Sequence, residues 1–83
     1  MVYDVEEKRV NRVLKIGRKY LTWIQNSVLE GEITESKYEK LKYELNKVID
    51  EKADSIVIYI NRTQMYLKKE IIGKEKNDAS TII

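Results

Sequence analysis

The chain contains no cysteine, no histidine and no proline, and only three of its 83 residues are glycine. Without cysteine it has no disulfide framework and no thiolate zinc site. Without histidine it lacks the usual general base and the usual ligand of transition metals. Any catalysis must therefore rest on carboxylates, lysine, tyrosine, serine or a hard cation such as Mg²⁺.

Long apolar runs are also missing, because the sequence has neither a stretch of 18 apolar residues nor a signal-peptide pattern. We therefore expect a soluble, cytoplasmic protein that makes no contact with a membrane. Apolar residues make up 42% of the chain and charged residues 36%, which is typical of a globular domain. A chain of 83 residues has room for one core of marginal stability, which dimerisation would reinforce.

The first half of the chain predicts a strand, a helix and two short strands. Residues 2–5 indicate a short strand, and apolar residues at helical spacing between 10 and 21 indicate the first helix. Gly17 falls on the apolar face of that helix, where it suggests a close approach to a strand. Residues 23–33 then predict two short strands, or one bent strand, with a turn or bulge at Gln25-Asn26.

The second half predicts a helix and two more strands. The second helix is capped either by Ser36, in a capping box, or by Thr34. Residues 55–60 are almost entirely apolar and β-branched, which predicts a strand buried on both faces. Residues 61–65 predict a connection, and residues 66–72 a last strand that pairs with a sheet edge of its own chain or of a second copy.

The resulting order of elements is β-α-β-β-α-β with one additional strand. This order predicts an α+β protein with a ferredoxin-like fold and an extra C-terminal strand. We expect a single domain over residues 1–73, including the extra strand, and a tail over residues 74–83.

Asp4 stands at the end of the first strand, and its position allows two interpretations. Aspartate is among the best helix caps, so position alone favours a cap of the first helix. Alternatively, a carboxylate at a strand end could bind Mg²⁺. One carboxylate holds that ion poorly, but a second Asp4 from a two-fold partner and the phosphate oxygens of a substrate could complete the shell.

The distribution of charge is uneven, although the net charge is only +2. Between Lys8 and Leu29 the sequence has six basic residues and no acid. A solvated helix face usually mixes signs, so this stretch favours a track for nucleic-acid phosphates over a merely soluble surface. The candidate phosphate-binding residues are Lys8, Arg9, Arg12, Lys15, Arg18 and Lys19.

Other polar and aromatic residues give weaker signals. Ser27 could contact a phosphate, but a serine that bonds to the backbone is the commoner case. The six tyrosines and Trp23 could stack on bases, yet most have core periodicity and favour a packing role. The chain has no P-loop and no G-x-G-x-x-G sequence, so no nucleotide cofactor is expected.

Five segments together resemble one known family. The segments VYDV, NRV, WIQNSVLEGEI, DSIVIYI and EIIGKEK, in this order and spacing, resemble the CRISPR-associated "Cas two" proteins. The resemblance covers nearly the whole chain. It implies a ferredoxin-like protomer in a two-fold dimer whose C-terminal strand pairs with the sheet of the other subunit, with Ile71 and Ile72 at the interface.

The resemblance also implies a function. Family members act with a partner integrase in spacer acquisition, where the dimer bridges integrase subunits and supports the duplex to be inserted. Members are also assigned Mg²⁺-dependent endonuclease activity on single-stranded RNA or on DNA. The metal aspartate of the family corresponds to Asp4, its basic helix residues to Arg12 and Arg9, and its strand serine to Ser27.

The chain departs from the family in two places. Many members have phenylalanine where this chain has Leu29, which removes one aromatic side chain. Members also carry further apolar residues before VYDV, whereas Met1 directly precedes it here. Either the first strand is short or the natural chain begins upstream.

Three functions therefore compete. The protein is a metal-dependent endonuclease that uses Asp4, a non-catalytic adaptor that binds duplex DNA beside the integrase, or an mRNA-cleaving toxin of similar fold. The first two are compatible, because a weak nuclease can also serve as an adaptor.

Overall fold

The computed structural model describes the chain over residues 1–63 and 66–75. Five strands and two helices occur there, and their order agrees with the predicted one. They are β1 (Val2–Asp4), α1 (Glu7–Tyr20), β2 (Thr22–Gln25), β3 (Val28–Glu30), α2 (Glu35–Val48), β4 (Ser55–Thr63) and β5 (Tyr66–Gly73). Neither helix has the length and apolar character that crossing a bilayer requires.

The strands form one antiparallel sheet in the order β2-β3-β1-β4-β5. The strands β1 to β4 and the two helices that connect them make up the ferredoxin-like arrangement. The strand β5 extends the sheet beside β4. The predicted fold class is therefore confirmed. The predicted tail over residues 74–83 lies largely outside the described residues.

The core lies between the helices and one face of the sheet. Val13 of α1 and Leu41 and Leu45 of α2 pack against Leu29 and Ile56 of the sheet, and all five are almost completely buried. Burial of such side chains stabilises the fold by about 1.5–3 kcal/mol each. The opposite face of the sheet has no helix over it in the described part of the chain.

Gly17 makes the predicted close approach to the sheet. A Cβ atom at this position would lie 3.1 Å from Cδ2 of Leu29 and 3.3 Å from Cε of Met1. The absence of a side chain lets α1 lie directly on β3. An alanine here would require the Leu29 and Met1 side chains to move by a few tenths of an ångström.

The two short strands β2 and β3 are joined by a tight turn. Asn26 has a φ of +42°, a left-handed conformation that asparagine adopts more readily than most residues. The ladder register also shifts between Trp23 and Gln25, as expected for a bulge. The predicted bulge or turn is therefore present, with the bulge ending at Gln25 and the turn at residues 26–27, one residue later than predicted.

The structure selects one of the two predicted caps of α2 and corrects one prediction for β4. Thr34, not Ser36, caps α2, because its hydroxyl oxygen accepts a hydrogen bond from the Lys37 N–H at 3.2 Å. In β4 only the face carrying Ile56 and Ile58 is buried, and Tyr59 is 53% exposed. The strand is therefore buried on one face and not on both.

The predicted connection over residues 61–65 is also wrong for its first three residues. The strand β4 continues through Thr63, because residues as far as Thr63 pair with β5. Residues 64–65 lie outside the described part of the chain. The added strand β5 pairs with β4 of its own chain, which was one of the two predicted pairings.

Candidate nucleic-acid interface

Asp4 lies at the end of β1 on the uncovered face of the sheet. It pairs with Ser55, the first residue of β4, and its side chain is exposed. Alternate residues of a strand share a face, so Asp4 lies on the same side as Val2 and opposite the buried Tyr3. The carboxylate is thus placed at the edge of an apolar surface and outside the core.

Asp4 does not cap the first helix. The helix α1 begins at Glu7, and its N-cap residue is Glu6, whose side chain makes no capping hydrogen bond. The interpretation of Asp4 as the helix cap is therefore wrong. The predicted role of Asp4 as a metal ligand is untouched by this finding and stays a prediction.

A different acid, Asp54, organises the chain around Asp4. Its side chain is 0% exposed and accepts hydrogen bonds from the backbone N–H of Glu6 at 3.0 Å and of Asp50 at 2.9 Å. The guanidinium of Arg9 also donates to both of its oxygens, through Nε and through Nη2 at 3.1 Å. Each oxygen of the buried Asp54 carboxylate thus accepts hydrogen bonds from two N–H groups, which compensates for the burial of its charge.

This network shifts the acidity of both charged partners. Hydrogen bonding from Arg9 is the largest cause that holds the pKa of the Asp54 carboxyl well below its usual range, and the N–H groups of Asp50 and Glu6 add to it. Hydrogen bonding to Asp54 raises the pKa of Arg9 in turn. Both groups are therefore fully charged at neutral pH.

The hydrogen bonds of Asp54 join three parts of the chain, two of which are neighbours of Asp4 in the sequence or in the sheet. Glu6 lies at the start of α1, two residues after Asp4, and Asp54 precedes Ser55, the pairing partner of Asp4. The carbonyl oxygen of Asp54 accepts a hydrogen bond from the Lys74 N–H at 2.7 Å, which ties down the end of β5. We infer that Asp54 sets the position of Asp4 from both sides.

The predicted basic surface lies on α1, on the side opposite its buried residues. Val13 and Gly17 face the core, whereas positions 8, 12, 15 and 19 fall on the outer face of the helix. We call this outer surface the basic face and define it by Lys8, Arg12, Lys15 and Lys19. Within the described residues, Arg12 and Lys15 have no ion pair with an acid.

Two of the predicted phosphate-binding residues form close ion pairs within the chain, whereas Nζ of Lys8 is 4.0 Å from Oε1 of Glu6. Arg9 is only 14% exposed, because its guanidinium is held by Asp54 and by Glu6. Lys19 donates to the Glu44 carboxylate, which also accepts a hydrogen bond from the Tyr20 hydroxyl. The structure thus gives Arg9 a role in folding, and phosphate binding by these two residues stays a prediction.

Ser27 lies in the turn between β2 and β3 and not within a strand. Its carbonyl oxygen accepts a hydrogen bond from the Tyr3 N–H at 3.1 Å, so the residue links the turn to β1. Burial raises the pKa of the Tyr3 hydroxyl, and a hydrogen bond with the Ser27 side chain partly opposes that rise. A contact of Ser27 with phosphate stays a prediction.

Arg18 turns away from the basic face toward the edge strand β2. Its guanidinium carbon lies 5.7 Å from the centroid of the Trp23 ring, within range of a cation–π interaction. Lys15, Arg18 and Lys19 also line an open depression of about 450 Å³, together with Asn11 and Leu14. The cationic surface of α1 therefore continues to the side of Trp23.

A larger cavity, of about 640 Å³, lies between the start of α2 and the middle of β4. It is lined by Glu30, Glu32 and Glu35 besides apolar side chains, so its charge is wrong for a phosphate. The described residues contain no group of three or more acidic, histidine or cysteine side chains able to hold a metal ion. The cationic surface of α1 and the exposed Asp4 are therefore the candidates for a functional site among the described residues.

Comparison with known proteins identifies the family. A profile of the family described as CRISPR associated protein Cas2 matches residues 1–69. The chain belongs to the Cas2 family. The resemblance drawn from the five sequence segments is thereby confirmed.

Two curated Cas2 proteins illustrate how close the relationship is. The chain is 55% identical over 83 residues to a protein of Dictyoglomus turgidum, covering all of this chain and 95% of that relative. It is 56% identical over 78 residues to a protein of Thermotoga maritima, covering 94% of this chain and 90% of that relative. Both relatives are named CRISPR-associated endoribonuclease Cas2.

A solved structure has the same fold. It is described as a crystal structure of cas2, and it superimposes with a TM-score of 0.62 at 31% sequence identity. The match covers 98% of this chain and 79% of the other. The ferredoxin-like arrangement described above is thus one that a Cas2 protein adopts in a crystal.

Proposed function

We propose that this Cas2 protein binds the phosphate backbone of nucleic acid along α1 and hydrolyses phosphodiester bonds of single-stranded RNA. The observation that carries the proposal is the basic face, in which Arg12 and Lys15 have no acidic partner within the described residues. Cations left unpaired on a solvated helix are available to replace the counterions of a phosphate chain. The printed names of the relatives, which call them endoribonucleases, support RNA as the substrate.

The chemistry of the basic face predicts binding without sequence preference. Lysine and arginine side chains that contact phosphates position a protein on nucleic acid but carry no information about base identity. A second function follows from the same property, since duplex DNA presents the same phosphates. This is the adaptor role in spacer acquisition, in which a dimer supports duplex DNA beside the partner integrase.

Asp4 is the residue we assign to metal binding. Its carboxylate is a hard oxygen ligand, and Mg²⁺ is commonly held by only one or two carboxylates together with substrate phosphates and water. The exposed position at a strand end therefore fits this ion. When bound, Mg²⁺ would supply positive charge that stabilises the charge developing on the scissile phosphate. The chain itself contributes the carboxylate and its placement by the Asp54 network.

We further propose that the protein acts as a homodimer that covers the open sheet face. Val2 pairs with both Val28 and Val57, and Val57 also pairs with Ile71, so these four side chains share that face. Val2 and Tyr59 on it are largely exposed. An apolar sheet face is stabilised by a second layer, which a second copy would provide. Ile72, in contrast, is buried in the core of its own chain.

The dimer can be tested at Val2. Sedimentation equilibrium of the wild-type chain should give a mass of twice 9.9 kDa. The substitution Val2→Lys should weaken the dimer, because it places a charge in the centre of the apolar face. Tyr43→Lys is the matched control, since Tyr43 is an exposed side chain on α2 and distant from the sheet. A wild-type monomer at every concentration would contradict the proposal.

Binding through the basic face can be tested by removing two of its cations. The double variant Arg12→Gln/Lys15→Gln should bind RNA about tenfold more weakly near 0.1 M salt. The slope of log affinity against log salt should fall by about 1.4 for a single strand and about 1.8 for duplex DNA. Fluorescence anisotropy of labelled oligomers in EDTA measures both quantities.

The matched control for this experiment is Lys37→Gln/Lys40→Gln. These two lysines are also exposed and three residues apart, but they lie on α2. The control removes the same net charge and should leave the salt slope nearly unchanged. If both double variants lose equal affinity, binding depends on net charge alone and the basic face is not the interface.

A further inference from the structure

Trp23 is a large aromatic side chain that the fold leaves in solvent. Its periodicity in the sequence suggested a packing role, but 45% of its surface is exposed. It lies on β2, which forms one edge of the sheet in the described chain. The exposed part of the indole is therefore available to a ligand from solvent.

Two contacts hold the Trp23 ring in a defined orientation. The indole N–H donates a hydrogen bond to the Asn26 carbonyl oxygen at 2.9 Å, across the β2–β3 turn. The Arg18 guanidinium lies 5.7 Å from the ring centroid. A ring that is already oriented loses little conformational freedom when a flat ligand stacks on it.

The surroundings of the ring are cationic. Arg18 also lines the depression that contains Lys15 and Lys19, and neither Arg18 nor Lys15 forms an ion pair with an acid in the described part of the chain. A guanidinium stacked on an indole keeps its N–H donors at its edge, where they can bind a phosphate oxygen. The site thus offers an aromatic surface and phosphate-binding donors next to each other.

We propose that Trp23 and Arg18 form a subsite for one unpaired base of a single-stranded nucleic acid, with the adjacent phosphates on Arg18 and Lys15. The proposal rests on the proposed function for backbone binding along α1 and assigns the recognition of an unpaired base to two defined side chains. A base in a duplex is covered by its neighbours, so only an unpaired base presents a face to the indole.

The position of the subsite defines the path of the bound strand along α1. From Glu7 to Arg18 the helix rises by about 16 Å, which equals about five stacked nucleotides. A strand with a base on Trp23 would therefore pass Lys15 and Arg12 before it reaches the end of the helix nearest Asp4. The stacking subsite would therefore lie at the end of the helix that is opposite to the one nearest Asp4.

A second exposed aromatic pair provides an internal comparison. Tyr43 is 64% exposed, and Nζ of Lys47 lies 4.8 Å from the centroid of its ring. This pair resembles Trp23 with Arg18 in chemistry, but it lies on α2 and does not belong to the basic face. Tyr43→Ala is therefore the matched control for Trp23→Ala.

The experiment uses Trp23 itself as the probe, because it is the only tryptophan in the chain. The full chain is titrated in EDTA, which prevents metal-dependent cleavage, with a ten-residue oligouridylate and with an abasic ribose-phosphate oligomer of equal length. We expect the uridylate to quench the tryptophan fluorescence. Its affinity should exceed that of the abasic oligomer by about fivefold or more. A ten-residue oligodeoxythymidylate distinguishes RNA from DNA: tighter uridylate binding assigns the subsite to RNA, and equal binding assigns it to either single strand.

Variants measured by anisotropy of labelled oligomers complete the test. Trp23→Ala should bind the uridylate about fivefold or more weakly than the wild type does. Its affinity for the abasic oligomer should be unchanged. Trp23→Tyr should retain most of the affinity, and circular dichroism of both variants should match the wild type. Tyr43→Ala should bind both oligomers as the wild type does.

Three results would count against the proposals in different ways. If the wild type binds uridylate and abasic oligomer equally, or if Trp23→Ala binds uridylate as the wild type does, the stacking subsite is refuted. Backbone binding would then stand, because it does not require a base. If neither oligomer shows salt-dependent binding, the proposed function fails together with the subsite.

Discussion

Asp4→Asn should reduce Mg²⁺-stimulated cleavage of single-stranded RNA by about 100-fold or more, while the affinity for the same RNA in EDTA changes little. Asparagine has nearly the shape of aspartate but no negative charge, so it cannot neutralise a divalent cation. Loss of the ion would remove the charge stabilisation that we assign to it at the phosphate. The rate of cleavage under single-turnover conditions gives the first value, and anisotropy gives the second.

Direct metal binding provides a readout that does not depend on activity. Mn²⁺ is a spectroscopic substitute for Mg²⁺, and its binding to the wild type and to Asp4→Asn can be compared by electron paramagnetic resonance. Glu51→Gln is the control, because Glu51 is an exposed acid in the turn before β4. We expect reduced Mn²⁺ binding only in Asp4→Asn.

The outcome at Asp4 also separates the two proposed functions. An Asp4→Asn variant that cleaves RNA at the wild-type rate would show that the observed activity belongs to another residue or to a contaminant. The adaptor role would remain in that case, since it requires the basic face and not the carboxylate. If EDTA alone abolished the binding of duplex DNA, the metal would be part of the interface and the adaptor proposal would need revision.

Asp54→Ala should lower the free energy of unfolding by about 3–5 kcal/mol. The substitution leaves the largely buried Arg9 guanidinium with only the exposed Glu6 as an acidic partner, and it removes the acceptor of the Glu6 and Asp50 N–H groups. Small domains have only about 5–15 kcal/mol of stability, so the variant should be near the limit of folding. Urea denaturation followed by circular dichroism measures the change.

The same network should make the fold sensitive to acid. The pKa of Asp54 is lower in the folded chain than the value of about 4 in the unfolded chain, so the unfolded chain binds the proton more tightly. A hydrogen bond from Tyr38 similarly lowers the pKa of Glu70 to about 2. The stability that both carboxylates contribute is complete above about pH 5 and is lost progressively as the pH falls through their folded pKa values.

Two comparisons make the Asp54 prediction specific. Glu51→Ala removes an exposed acid three residues away and should change the free energy of unfolding by less than about 0.5 kcal/mol. Below about pH 5, the free energy of unfolding of Asp54→Ala should also change less with pH than that of the wild type. A loss of less than about 1 kcal/mol in Asp54→Ala would contradict the central role that we give this side chain.

Much of the fold could be predicted because its signals are local. The helical spacing of Val10, Val13 and Leu14 and the β-branched run at 55–60 each depend on a few neighbouring residues. The extent of β4 could not be predicted in the same way, since its polar last residues, Asn61 to Thr63, have the composition of a loop. Pairing with β5 makes them strand, and pairing is a property of two segments together.

In the candidate site, too, the features that could be predicted are those that depend on local sequence. Asp4 and the basic face follow from order and charge in the sequence, and the structure places both on the surface. Asp54 was missed because it belongs to an acid-rich stretch that looks like a solvated turn, and its burial depends on Arg9, which lies 45 residues away in the chain. The exposure of Trp23 was missed for a similar reason, because apolar periodicity does not reveal which strand forms the edge of a sheet.

Gly73 has a practical consequence for anyone who redesigns the C-terminal segment. Its φ of +89° suits glycine, and a Cβ there would collide with the carbonyl oxygen of Asp54. The next residue, Lys74, uses its N–H to bond that same oxygen, so proline is excluded there as well. A linker, tag or grafted strand should therefore be joined after position 74, because a junction made any earlier would disturb Asp54, the buried acid that also holds the start of α1.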